Sequence, residues 1–135
     1  MPTLQLKISP PQPPAMYADL ARELTAITAT ILGKRPEVTA VMIEALPAAR
    51  WFVGSNPVVH ATAWLEISIT AGTNTAAQKA DFIEAAFACL QDLLGNGQAL
   101  EPASYVIVRE LPAGDWGYGG QTQAGRKRSA QPLAH

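Results

Sequence analysis

Glu110-Leu-Pro-Ala-Gly-Asp-Trp-Gly-Tyr-Gly-Gly120 has a counterpart 65 residues earlier, Ala45-Leu-Pro-Ala-Ala-Arg-Trp-Phe-Val-Gly-Ser55. Five of the eleven positions are identical, and they include Pro47 with Pro112 and Trp51 with Trp116, so the match does not rest on common aliphatic residues. The flanking segments repeat in the same order. Pro2 to Ser9 corresponds to Ala63 to Thr70, and both stretches alternate apolar and polar residues as half-buried strands do. Each leads into a segment of helical period, a second apolar strand and the Trp/Gly turn. The chain therefore reads as two strand-helix-strand units in tandem.

Spacing of three and four places Tyr17, Leu20, Leu24, Ile27 and Ile31 on one helix face, with Pro13-Pro14 suited to its start and Gly33 to its end. In the second unit Phe82, Ile83, Ala86, Phe87, Leu90 and Leu94 form the equivalent face. Thr75 and Gln78 have the spacing of a capping box there, and Gly95 follows as a stop. The strands Val38 to Leu46 and Ala103 to Leu111 are rich in Val, Ile and Met, and their composition predicts burial on both faces. Parallel strands joined through a helix take the right-handed crossover. The expectation is an α+β fold, a four-stranded mixed sheet with two helices on one face. Residues 1–120 form one domain of two repeats, 2–58 and 62–120, and a polar C-terminal tail covers 121–135. The sheet face left bare exceeds the apolar patch that soluble monomers tolerate, which predicts a closed homo-oligomer.

Composition excludes several classes. A net charge of -1 and a pI near 6.1 leave no electrostatic footprint for nucleic acid, and Arg126-Lys127-Arg128 is a short basic cluster in the tail. No apolar run reaches the length of a membrane span and no signal peptide is recognisable. The single Cys89 falls on the apolar face of the second helix and forms no internal disulfide, so a cytoplasmic location is expected. His60 and His135, the two histidines, have no ligand spacing to Cys89 or to each other, and no metal or cofactor is expected. The glycines of Trp116-Gly-Tyr-Gly-Gly120 are not followed by a clear amphipathic helix and read as a tight hairpin rather than a phosphate loop.

Pro2 is the remaining reactive group. Removal of Met1 would leave its ring nitrogen as a secondary amine at the start of a strand. Burial lowers the pKa of an amine from about 7.7 to 8.0, because it disfavours the charged form. Such an amine acts as a base near neutrality. Lys7, on the polar side of the first strand, would lower that pKa further if it stood close.

A proline after the initiator methionine, a duplicated strand-helix-strand chain and the segment Gly114-Asp115-Trp116 with Tyr118 and Gly119 together resemble the tautomerase superfamily. The likeness covers residues 2 to 120 and is nearest to its two-unit members such as malonate semialdehyde decarboxylase, with the last strand and hairpin also similar to 4-oxalocrotonate tautomerase. It implies a trimer with sheets facing inward, as in tautomerase and MIF-like folds, and a cofactor-free site around Pro2 as general acid or base. The implied substrates are small 2-oxo, enol or 3-oxo carboxylic acids, and the implied activity is that of a tautomerase or isomerase. The chain departs from the family where arginines commonly hold the substrate carboxylate, having Gln12, Thr70 and Thr73 there and Tyr105 on the strand of the second unit. Tyr105 and Arg109 share one side of the last core strand and are candidates to compensate, as is Arg50. Trp51, Trp116 and Tyr118 are candidate pocket walls. Glu37 and Asp115 are candidate water-activating acids for the alternative of a decarboxylase, hydratase or dehalogenase. A further alternative is a non-catalytic trimeric binding or scaffold protein.

Overall fold

In the computed structural model, which describes residues 1–134 and side chains through Arg128, the two units carry the same elements in the same order. His135 lies outside the described residues. The first unit consists of β1 (Thr3–Ser9), α1 (Pro14–Leu32), β2 (Ala40–Ala45) and a hairpin of β3 (Phe52–Val53) with β4 (Asn56–Pro57). The second has β5 (Thr62–Thr70), α2 (Ala76–Leu94), β6 (Tyr105–Leu111) and a hairpin of β7 (Gly117–Tyr118) with β8 (Gln121–Thr122). Both helices have 19 residues, and the two hairpins are separated by the 65 residues that relate the sequence motifs. Between helix and second strand the chain numbers run from Leu32 to Ala40 in the first unit but from Leu94 to Tyr105 in the second, so the second connection is three residues longer.

The sheet order is β2-β1-β5-β6, with parallel pairs inside each unit and the antiparallel pair β1-β5 joining them. Alternation sorts the side chains. Leu4, Leu6 and Ile8 of β1 and Ala63, Leu65, Ile67 and Ile69 of β5 face the helices and are buried. The helices meet them with equivalent positions: Leu20, Leu24, Thr28 and Leu32 from α1, and Phe82, Ala86, Leu90 and Leu94 from α2, each pair 62 residues apart. Thr28 enters this core because its hydroxyl donates to the Leu24 carbonyl at 2.7 Å.

Several expectations hold in detail. Thr75 and Gln78 make the reciprocal capping box, and Gly33 adopts the left-handed conformation at φ 69° with its N–H on Ala29. Gly95 ends α2 for another reason: its φ is -76°, and a Cβ there would strike the carbonyls of Gln91 and Gln98. Gly119 and Gly120, both at positive φ, make the turn between β7 and β8, as the hairpin reading requires.

Others are corrected. The strands expected to be buried on both faces are the sheet's two edges, and β2 and β6 expose Met42 (53%) and Tyr105 (59%) on the face away from the helices. Ile83, expected on the core face of α2, is exposed. A helix does follow the glycine-rich hairpin: α3 (Gln123–Ala134) occupies most of the segment read as a polar tail. It is polar in composition, consistent with that part of the reading.

Candidate active site

Pairing places the two ends of the sheet in different chemical settings. At one end stand the start of β1, the ends of β5 and β6, the exit of α1 and the loop of residues 71–75. Pro2 sits at this pole, buried in line with Leu4, and its carbonyl accepts the Ala40 N–H at 3.2 Å. That bond extends the ladder one step beyond β1 and fixes the ring against the edge strand.

The pole is cationic. Burial first, then Lys34 and then Arg35, holds the Met1 ammonium below the ordinary α-amino value. Lys34 is half buried, and burial lowers its own pKa. Its ammonium donates to the Thr73 hydroxyl at 2.9 Å, and among the described residues it makes no ion pair. Arg35 by contrast is paired, its Nε 2.8 Å from Glu37 Oε1. A hydrogen bond from its own backbone N–H and one from Arg35 hold the Glu37 carboxyl below the usual carboxylate range. Glu37, in the short turn Pro36–Val38 before β2, is thus an ionised carboxylate at the same pole as Pro2.

The loop of residues 71–75 closes this end. Ala71 N–H donates to Leu111 and Gly72 N–H to Glu110 Oε2 at 3.1 Å. Lys79 and then Gly72 hold the Glu110 carboxyl below its usual range. Asn74 reaches across to the Leu32 carbonyl at 3.0 Å, so a loop of the second unit is tied to the helix exit of the first. Trp116 joins the same end, its indole N–H on Thr70 Oγ1 at 3.2 Å. Asp115 lies beside it, exposed, lining a shallow hollow of about 300 Å³ on the hairpin. Tyr118 stacks on the Arg126 guanidinium, 3.8 Å from the ring centroid, and turns its carbonyl to the same group.

The remaining candidates divide between the two ends of the sheet. Tyr105, Ile107 and Arg109 share the open sheet face; Arg109 pairs with Ser68, itself opposite Thr3, so it stands at the Pro2 end two strands away, 3.9 Å from Glu66. Tyr105 pairs with Trp64 at the far end of the sheet. Arg50 and Trp51 follow β2 at that far end as well. Lys7 lies over the Trp64 ring at 5.5 Å and is five residues along β1 from Pro2, about 17 Å at the rise of a strand. It does not act on the Pro2 nitrogen within the chain. Cys89 is buried, with its pKa pushed up to about 12 by burial and by Glu23, and is an inert core thiol.

Sequence reasoning missed Lys34 and Arg35. Two cations directly after a helix-ending glycine look like a solvated turn. The available signal was their position between the helix exit and β2, which β1 pairs in parallel, bringing the turn to the end of the sheet where Pro2 starts.

Among solved structures, a wild-type fused 4-OT described as an asymmetric trimer matches with a TM-score of 0.80 and 25% identity, over 90% of this chain and 96% of that one. A native fused 4-OT matches with a TM-score of 0.76 and 26% identity, over 90% and 96%. A macrophage migration inhibitory factor-like protein from Entamoeba histolytica shares the fold, with a TM-score of 0.72 and 16% identity over 90% and 97%. No protein-family model matches the chain, and no curated protein is similar to it.

Proposed function

Proceeding from a fold that resembles the tautomerase superfamily along nearly its whole length, we propose that this protein is a cofactor-independent tautomerase of small 2-oxo carboxylic acids. Once Met1 is removed, Pro2 is its general acid and base. The observation that carries this reading is the setting of Pro2: a buried ring next to the Met1 ammonium, which burial, Lys34 and Arg35 hold below the ordinary α-amino value, at a pole with a half-buried lysine that makes no ion pair among the described residues. A neutral secondary amine there takes a proton from the carbon next to the keto group. Lys34 holds the substrate carboxylate, and its charge stabilises the enolate that forms. The protonated amine then returns the proton at the alternative position, and the product is the tautomer. Trp116 stands at the same end of the sheet, on the hairpin side.

The bare sheet face supports assembly into a trimer with the sheets inward, as the fused 4-OT neighbour is described as a trimer. In such an assembly the far-end residues Tyr105, Arg50 and Trp51 would reach a site only across a subunit boundary, while Arg109 is already at the Pro2 end of its own chain. Sedimentation of the purified chain tests the stoichiometry.

Intact mass gives the state of the terminus, and enol-keto conversion of phenylpyruvate gives the activity. Chains that begin at Pro2 are expected to be active, while retained Met1 or Pro2→Ala lowers turnover by about 10²- to 10⁴-fold, the usual worth of a positioned acid or base. Undiminished turnover in either case overturns the reading. A second reading, water activation for hydration or decarboxylation of an unsaturated or 3-oxo acid, is favoured by Glu37, which is ionised and at the same pole. Glu37→Gln leaves tautomerisation intact under the first reading and removes hydration under the second.

A further inference from the structure

Thr70 ends β5 and Thr73 lies in the loop that closes the Pro2 end, and the structure gives both a shared task. The Thr73 hydroxyl accepts from Lys34 Nζ at 2.9 Å and donates to the Thr70 carbonyl at 2.6 Å, while the Thr70 hydroxyl accepts from the Trp116 indole at 3.2 Å. Two threonines therefore connect the cation after α1 to the aromatic wall of the second hairpin, across 39 residues on one side and 46 on the other.

We propose that Thr73 is a positioning residue that holds Lys34 as an anion receptor, with Thr70 as its anchor; this rests on the reading of Lys34 as the carboxylate-holding group. The choice of a neutral partner is what matters. An ammonium has three donors. One is spent on a hydroxyl whose own proton is committed to Thr70, which orients the side chain without cancelling its charge. The other two remain for a carboxylate. The charged groups around the pole do not supply that carboxylate themselves: Glu37 is taken by Arg35, and Glu110 by Lys79 and the Gly72 N–H. The Met1 ammonium is a second positive group at this pole, close enough for Lys34 to lower its pKa. A carboxylate in place of Thr73 would act as an internal counter-ion and occupy the receptor.

The test is binding, so that it does not depend on turnover. Sodium pyruvate is titrated by NMR into the full chain bearing Thr73→Val, Thr73→Ser or Thr73→Asp, with methyl pyruvate as the uncharged control. Wild type and Thr73→Ser are expected to bind pyruvate alike. Thr73→Val weakens it about tenfold, the scale of a hydrogen bond to a charged group, and Thr73→Asp abolishes it. Methyl pyruvate is unaffected throughout. Equal pyruvate affinity in all four chains overturns the proposal, as does a loss in Thr73→Val that Thr73→Ser fails to restore, which would mark a purely structural loop contact. Absence of pyruvate binding by wild type also overturns it. Whether Pro2 is the base is decided separately by turnover of the Pro2→Ala chain.

Discussion

The two units are copies in frame and opposites in chemistry. Each has a strand, a 19-residue helix, a second strand and a hairpin, and the four buried positions of the first helix all have buried counterparts in the second, which adds Cys89. Yet the first unit begins at the chain terminus, and its helix exits through Gly33-Lys34-Arg35, while the second begins in mid-chain and exits through Gly95-Asn96-Gly97. At the second pole the Ala63 nitrogen is an amide that donates to Ser104 Oγ at 3.1 Å. The hollow nearby is lined by Gln12, His60, Asn96 and Gln98, with no lysine or arginine among its walls. Duplication reproduced the scaffold, because packing demands the same apolar positions. The second unit has neither a terminal amine at its first strand nor a cationic turn after its helix.

The comparison breaks first where the two cores differ. Phe82 and Leu20 are equivalent and fully buried, and Phe82→Ala is expected to cost about 3–5 kcal/mol in denaturant unfolding, the usual range for emptying a buried aromatic site. A loss below about 1 kcal/mol would mean the layer relaxes around the gap. Next comes the polar difference. Lys34→Met removes a cation near the terminal amine, so the amine's pKa rises and the ascending limb of kcat/KM moves to higher pH, with KM for a 2-oxo acid up about tenfold. A limb that moves to lower pH, or stays, would detach Lys34 from the site. The smallest effect is the reciprocal graft. Asn96→Lys puts the first unit's cation type at the second exit, and turnover should be unchanged while stability falls by about 1 kcal/mol, because Asn96 holds a positive φ of 50° that Lys adopts less readily. An increase in turnover would mean the second pole already holds a competent base.

Much of this frame was legible before any coordinates. The Trp/Gly motif announced the repeat, and the capping box Thr75 with Gln78 and the left-handed Gly33 were readable because both are local. The exposed edges were not, because composition reports what a strand buries in the finished assembly and cannot say whether its own chain does the burying. Pro2 was singled out from the sequence because its chemistry is intrinsic to the residue. Lys34 escaped because its meaning comes from Thr73 and from the start of β1, distant in sequence and adjacent only after pairing. Lys7 shows the reverse error: it is near Pro2 in sequence, but an extended strand carries it to the other end of the sheet.

The Ala40 bond to the Pro2 carbonyl has a consequence for how such a chain is handled. It seats the first residue behind the initiator as the last rung of a β-ladder, so the leading end of the polypeptide is a built component rather than a loose thread. An affinity tag fused ahead of it would keep the proline nitrogen an amide and so remove the proposed base. A gene reopened at the junction near residue 61 would hand the free imino or amino group to whichever residue was then translated first, moving the reactive end to the opposite pole.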